Sequence, residues 1–269
     1  MQFLDRPDGR LAYDVVGQGP PLFLVTGLGG SRHYWENLVP ALSRAFTVVT
    51  HDHMCTGDSH GNRVSHTVEA LTDDVVALMD HLQIRQTNFL GHSTGAAVGQ
   101  ILAQDHPQRV LKLVLYAGWA GPDPFFKLCF EVRKALLQGS GIASYQRASA
   151  IFLYPPSWIS ADAARLEALI ARLLATSATE AVLAARIDMI VAFDRRSRLR
   201  DIAAPTLVLC AKDDTLTPLY LSEELTANIP QATLASLPWG GHAASQTCPD
   251  DFLQETLGFF ATLNPITRT

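Results

Sequence analysis

The chain has 269 residues, with 21 basic and 26 acidic side chains and a formal net charge of −5. Apolar residues make up 48% of it and charged residues 17%, which is a globular composition and excludes intrinsic disorder. The slightly acidic balance argues against nucleic acid as a partner, and no apolar run approaches the roughly 20 residues of a membrane span.

Short apolar runs bounded by Gly, Pro or Asp alternate with helical periodicity in the first 120 residues. These runs predict strands over 21–26, 46–52, 88–91 and 111–116, and apolar spacing predicts helices over 68–82 and after Gly95. After Pro205 the pattern returns, with strands over 206–210 and 233–237 and helices over 219–228 and 249–263. Apolar strands separated by helices imply an α/β fold with a mostly parallel, doubly wound sheet.

Residues 121–200 have no strand pattern. An apolar stripe predicts a helix through 166–174, and Ser177 with Glu180 fits a capping box that opens the next helix. This segment has 11 basic and 7 acidic side chains, a net charge of +4, whereas the remainder has 10 basic and 19 acidic side chains. We therefore predict a helical cap over 121–200, inserted into an α/β core formed by 1–120 and 201–269.

The motif Gly91-His92-Ser93-Thr94-Gly95 lies directly between a predicted strand and a predicted helix. Its glycines permit a sharp turn that raises the Ser93 hydroxyl above the sheet edge. A serine hydroxyl becomes a useful nucleophile when a neighbouring base accepts its proton and a third group orients that base. Asp213 and Asp214 follow one later strand and His242 follows the next, in the order Ser, acid, His.

With these motifs the chain resembles the α/β-hydrolases over nearly its whole length. The resemblance implies the α/β-hydrolase fold, with Ser93 as nucleophile and His242 as the base. It selects Asp214 over Asp213 as the acid, because the family's acid lies four residues before the loop proline, here Pro218. A serine nucleophile argues against haloalkane or epoxide chemistry.

The resemblance also implies an oxyanion hole made by the amide N–H groups of Leu28 and Thr94. Leu28 belongs to the glycine-rich stretch 26–30, in which Thr26 stands where family members usually have histidine. A second departure lies in residues 52–59, DHMCTGDS, where the family usually reads D-x-R-G-x-G-x-S.

The predicted cap is similar to that of the aminoacrylate or carbamate hydrolases of pyrimidine degradation. The similarity in the cap covers 125–167, most clearly at 129–133, 152–155 and 165–167. Outside the cap, 210–214 and 240–243 are similar to the same hydrolases. The serine machinery implies a hydrolase, such as an esterase or lactonase, that cleaves a small ester, lactone, amide or carbamate through an acyl-enzyme. The narrower resemblance adds an aminoacrylate-like or carbamate-like compound to these candidates and does not fix the substrate. Three alternatives remain open: carbon–carbon bond hydrolysis, a non-catalytic binding protein, and a metal-dependent hydrolase that uses His51 and His53.

Three residues are predicted to contact the substrate. Trp119 follows a strand end, and Arg133 and Arg147 lie in the basic segment, where a guanidinium can hold a carboxylate. The positive charge of this segment predicts a small anionic substrate, although both arginines would also be explained as solvated helix positions.

The remaining expectations concern cofactors, compartment and assembly. Four scattered cysteines form no C-x-x-C pair, so we expect no disulfide framework and no zinc knuckle. The first residues lack the layout of a signal peptide, and a cytoplasmic protein is expected. No metal and no other cofactor is expected, and the sequence leaves open a homodimer.

Overall fold

Residues 1–63 and 65–262 are described by a computed structural model, and their strands form one mixed sheet. In chain order the strands are β1 (Gln2–Arg6), β2 (Gly9–Val16), β3 (Pro21–Val25), β4 (Thr47–His51), β5 (His60–Gly61), β6 (Thr87–His92), β7 (Val110–Tyr116), β8 (Thr206–Ala211) and β9 (Ala232–Leu237). The order across the sheet is β1-β2-β4-β3-β6-β7-β8-β9, with β5 paired to β2. The pairs that involve β2 are antiparallel and the others are parallel, so the predicted α/β class is confirmed.

The helices alternate with the parallel strands except in one long stretch between β7 and β8. They are α1 (Val39–Leu42), α2 (Val68–His81), α3 (Thr94–Asp105), α4 (Pro124–Leu153), α5 (Pro156–Ala161), α6 (Ala163–Ala175), α7 (Glu180–Ala192), α8 (Leu219–Asn228), α9 (Ala244–Thr247) and α10 (Pro249–Ala261). We call α4–α7 the helical insertion. Within α4, Gly141 has φ +76°, which interrupts the helix and bends it.

Two apolar layers cover the two faces of the sheet. Successive side chains of a strand point to opposite faces. In β3, Phe23 and Val25 pack in the layer that contains α2 and α3, whereas Leu22 and Leu24 pack in the layer that contains α10. The sheet is therefore doubly wound, as predicted.

The predicted elements match the structure closely in the parallel core and less well elsewhere. The antiparallel hairpin β1–β2 has no counterpart among the predicted strands. The capping box at Ser177 is wrong: Thr179 caps α7, and its side chain accepts a hydrogen bond from the Val182 N–H. The last predicted helix residue, Leu263, lies outside the described residues. The proposed division into core and cap stays a prediction.

No single helix of the described residues is long and apolar enough to cross a membrane. Helices α6 and α7 together have the length and composition for it, but they are bent by 97° relative to each other.

Candidate active site

Ser93 occupies a sharp turn between β6 and α3. Its φ of 53° is a left-handed conformation that is uncommon for a residue with a side chain. A Cβ on Gly91 would lie 2.1 Å from the Gly95 carbonyl oxygen, and a Cβ on Gly95 would lie 2.0 Å from the Val25 carbonyl oxygen. Both glycines of the motif are therefore required by backbone packing, and this packing holds Ser93 in its strained conformation.

Asp214 and His242 meet at the carboxyl ends of β8 and β9, and both are buried. Asp214 Oδ2 lies 2.9 Å from His242 Nδ1. The other carboxylate oxygen, Oδ1, accepts hydrogen bonds from the N–H groups of Leu216 at 2.8 Å and Thr217 at 2.9 Å. Because the loop backbone holds Oδ1, Oδ2 is the oxygen that faces the histidine.

The loop that carries His242 is braced by three further side chains. Asp213 Oδ1 accepts a hydrogen bond from the Gly241 N–H at 2.9 Å. The His242 carbonyl oxygen accepts a hydrogen bond from the Tyr116 hydroxyl at 2.9 Å and lies 3.0 Å from His92 Nε2. Burial, with His242 nearby, lowers the pKa of His92 well below its ordinary value, so His92 is neutral and its Nε2 carries the proton donated to this carbonyl.

Ser93 and His242 line the same cavity, whose volume is about 110 Å³. The core side and the helical insertion both contribute walls, among them Thr26, Leu28, Tyr34, Leu216, Phe130, Arg133, Tyr145, Ser149, Leu153 and Arg172. Within the described ranges, no hydrogen bond joins the Ser93 hydroxyl to the His242 ring. Such contacts are often long in free enzymes and tighten when substrate binds.

The glycine-rich loop packs directly against the serine. A Cβ on Gly27 would lie 3.1 Å from Ser93 Cβ, and Leu28 lines the cavity. Thr94 is the first residue of α3, where a backbone N–H has no acceptor within the helix. Among the hydrogen bonds of turns, loops and helix caps in residues 1–63 and 65–262, neither the Leu28 N–H nor the Thr94 N–H is a donor. Both N–H groups are therefore available to a ligand.

The three predicted substrate contacts have different surroundings. Arg133 is buried, lines the cavity and donates through Nη2 to the Tyr145 hydroxyl at 3.0 Å and to Ser149 Oγ at 3.2 Å. The predicted substrate contact at Arg147 is corrected by the structure. Arg147 is exposed, forms an ion pair with Glu167 through two hydrogen bonds, and does not line the cavity.

The predicted substrate contact at Trp119 is also corrected, because Trp119 is a core residue. It is fully buried, and its ring lies 4.9 Å from that of Phe126 and 5.7 Å from that of Phe193, centroid to centroid. It does not line the cavity.

The metal-dependent alternative has no ligand set in the described residues. No group of three or more His, Cys, Asp or Glu side chains there is positioned to hold a metal ion. The rings of His51 and His53 lie 5.7 Å apart, and burial lowers the pKa of both. Both imidazoles are therefore buried in the neutral form.

Sequence reasoning missed several residues of the site. Thr217 Oγ1 lies 2.8 Å from Asp214 Oδ2 and 3.1 Å from His242 Nδ1, so it contacts both members of the pair. Its position three residues after Asp214 in a tight loop was the available signal. Tyr145 and Ser149 gave no such signal, because their roles depend on which face of the bent helix α4 meets the core.

Comparison with known proteins agrees with this architecture. A family profile described as "alpha/beta hydrolase fold" matches residues 20–152. A protein named "Putative carbamate hydrolase RutD" from Azorhizobium caulinodans is 38% identical over 96% of this chain and 98% of its own length. A protein of the same name from Caulobacter sp. (strain K31) is 42% identical over 93% of this chain and 95% of its own.

Among solved structures, a hydrolase from Pseudomonas aeruginosa PA01 has a TM-score of 0.88 and 32% identity, with 97% of this chain and 98% of that chain covered. The chain belongs to the α/β-hydrolase family. It is a hydrolase whose relatives are named for carbamate hydrolysis.

Proposed function

We propose that this chain is a serine hydrolase that cleaves a small acyl substrate through an acyl-enzyme. The proposal rests on the 2.9 Å contact between Asp214 Oδ2 and His242 Nδ1, together with the strained Ser93, which lines the same cavity as His242. A serine held above the sheet, a histidine in the same cavity and a buried carboxylate that orients the histidine are the parts this chemistry needs.

The reaction begins when Ser93 Oγ attacks the acyl carbonyl carbon and His242 Nε2 accepts the hydroxyl proton. Asp214 stabilises the resulting imidazolium. The tetrahedral oxyanion accepts hydrogen bonds from the N–H groups of Leu28 and Thr94. When the intermediate collapses, the bond to the leaving group breaks and His242 returns the proton to that group. Water then attacks the acyl-enzyme by the same steps and releases the acid.

We propose that the substrate is small and carries a negative charge. A cavity of about 110 Å³ suits a compound of few atoms. Arg133 supports the charge, because its guanidinium lies in the cavity wall and contacts no carboxylate in the part of the chain that the structure describes. A carbamate anion fits both requirements, in keeping with the names of the relatives. Aminoacrylate-like compounds fit them as well.

The test of the catalytic proposal is Ser93→Ala, assayed on small esters, amides and carbamates. The variant should fold normally, because alanine removes only the hydroxyl. Its kcat should fall by about 10⁴–10⁶, as is typical when a nucleophile of this kind is removed. Turnover within tenfold of the wild type would overturn the proposal.

The test of the substrate proposal compares Arg133→Gln with Arg147→Gln. Arg133→Gln should lower kcat/KM for a carboxylate-bearing ester about 10–100-fold while a neutral ester of the same size changes little. Arg147→Gln is the matched control, because it removes only a solvent-exposed ion pair with Glu167, and such surface pairs contribute little to stability. An equal loss of kcat/KM on the two esters, or equal effects of the two variants, would overturn the proposed anionic substrate and indicate a general esterase.

A further inference from the structure

Arg186 of α7 is fully buried, and its hydrogen bonds to the described residues go only to backbone carbonyls of two core loops. Nη2 donates to the Met54 carbonyl at 2.7 Å, and Nη1 donates to the Leu28 carbonyl at 3.4 Å. A Cβ on Gly30 would lie 2.7 Å from Nη1, so the missing side chain of Gly30 leaves room for the guanidinium. Arg186 thus connects the helical insertion to residues 26–30 and 52–59.

The first of these loops is a tight turn whose peptide directions matter for catalysis. The Gly30 N–H donates to the Gly27 carbonyl at 3.0 Å. In a trans peptide the C=O and N–H groups point in opposite directions, so the Leu28 N–H points away from this hydrogen bond. The Gly30 carbonyl oxygen accepts a hydrogen bond from the His53 N–H at 2.8 Å, which joins the turn to the second loop, residues 52–59.

Stability alone does not explain this arginine. In the described part of the chain, Arg186 forms no ion pair with a carboxylate within 4 Å, and its Nε has no hydrogen-bond partner. Burying a charged group without an opposite charge costs free energy. An apolar side chain of similar length would avoid that cost but would leave the carbonyls of Leu28 and Met54 without their donor.

We propose that Arg186 is a positioning residue that fixes the glycine-rich turn so that the Leu28 N–H meets the developing oxyanion. This inference rests on the proposed serine mechanism. It assigns to the helical insertion a second role besides lining the cavity: α7 holds the loop geometry on which transition-state stabilisation depends. The contact of Arg186 with the Leu28 carbonyl anchors the turn from α7.

The test measures the rate at which a small alkyl fluorophosphonate modifies Ser93, together with kcat and KM on a small ester. In this modification Ser93 Oγ bonds to phosphorus, the P–F bond breaks and releases fluoride, and His242 accepts the hydroxyl proton. The phosphoryl oxygen accepts hydrogen bonds from the oxyanion-hole N–H groups. Arg186→Met should lower the modification rate and kcat by between tenfold and about 10³-fold, the upper value being the loss of a whole oxyanion donor. KM should change less than threefold.

Arg186→Lys should give an intermediate loss, because an ammonium reaches one carbonyl but cannot span both. Ile187→Ala is the matched control: Ile187 is the next residue, is buried in the core and does not line the cavity. It should lower Tm and leave kcat and the modification rate unchanged. If Arg186→Met does not fold, Arg186→Lys decides by the same criteria.

Wild-type rates in both Arg186 variants would overturn the inference, as would losses no larger than those of Ile187→Ala at an equal drop in Tm. A wild-type protein that the fluorophosphonate does not modify at Ser93 would overturn the proposed function instead, and the role of Arg186 would fall with it.

Discussion

Replacing Asp214 with asparagine should remove almost all activity, and the geometry gives the reason. Two backbone N–H groups, those of Leu216 and Thr217, bind Oδ1 and would keep the amide oxygen of asparagine in that place. The amide NH₂ would then replace Oδ2, 2.9 Å from His242 Nδ1, and donate to it. His242 would carry its proton on Nε2 and could not accept one from Ser93.

The expected loss is about 10⁴ in kcat, or about 5.5 kcal/mol of transition-state stabilisation. Asp213→Asn is the matched control in the neighbouring position. Its amide oxygen can still accept the Gly241 N–H, so only the extra strength of a charged acceptor is lost, about 1 kcal/mol. That variant should keep kcat within about tenfold of the wild type.

The assay is steady-state hydrolysis of a small ester, with circular dichroism and Tm confirming that both variants are folded. An exchange of the two phenotypes would mean that Asp213 orients the histidine. Small effects in both variants would refute a mechanism that depends on this carboxylate.

Three further predictions concern stability. Gly95→Ala should cost about 3 kcal/mol or more in unfolding free energy, measured by denaturant titration, because its Cβ meets the Val25 carbonyl at 2.0 Å; an unchanged midpoint would contradict this packing. Burial lowers the pKa of His53 well below 6.5 and that of His66 to about 4, so the unfolded chain binds protons there below pH 6.5 while the folded protein does not. Unfolding free energy should therefore decrease as pH falls from 6.5 toward 4, less steeply in His53→Gln, and equal midpoints at pH 7 and pH 5 would contradict this. Trp119→Ala should cost about 3–5 kcal/mol and leave KM within threefold, whereas a large rise in KM at unchanged stability would restore it as a substrate contact.

The parallel core was predictable because each of its strands is a continuous apolar run. Such runs mark strands that are covered on both faces. The hairpin β1–β2 was missed because Asp5, Arg6, Arg10 and Asp14 interrupt its apolar positions. Its pairing with β4 depends on contacts between distant parts of the chain, which a local pattern does not contain.

The two arginines of α4 show where sequence reasoning about the site fails. Arg133 and Arg147 are fourteen residues apart, a spacing that brings two side chains to nearly the same face of a continuous α-helix. Gly141 lies between them with φ +76°, and this break removes the expected alignment. One arginine consequently lines the cavity and the other pairs with Glu167 at the surface.

Arg186 was missed for a related reason. An arginine in a largely apolar helix such as α7 predicts a charged group that reaches solvent. Its burial against Leu28 and Met54 arises only when α7 folds back over the core, so it is a property of the tertiary structure.

The central claim is that Ser93 forms the covalent intermediate. The most direct measurement is intact-mass spectrometry of the wild type and Ser93→Ala after incubation with a small alkyl fluorophosphonate, followed by peptide mapping. One adduct per wild-type chain is expected, on the peptide that contains Ser93, and none on Ser93→Ala. An adduct on another residue, an equal adduct on Ser93→Ala, or a fully active wild type that is never modified would contradict it.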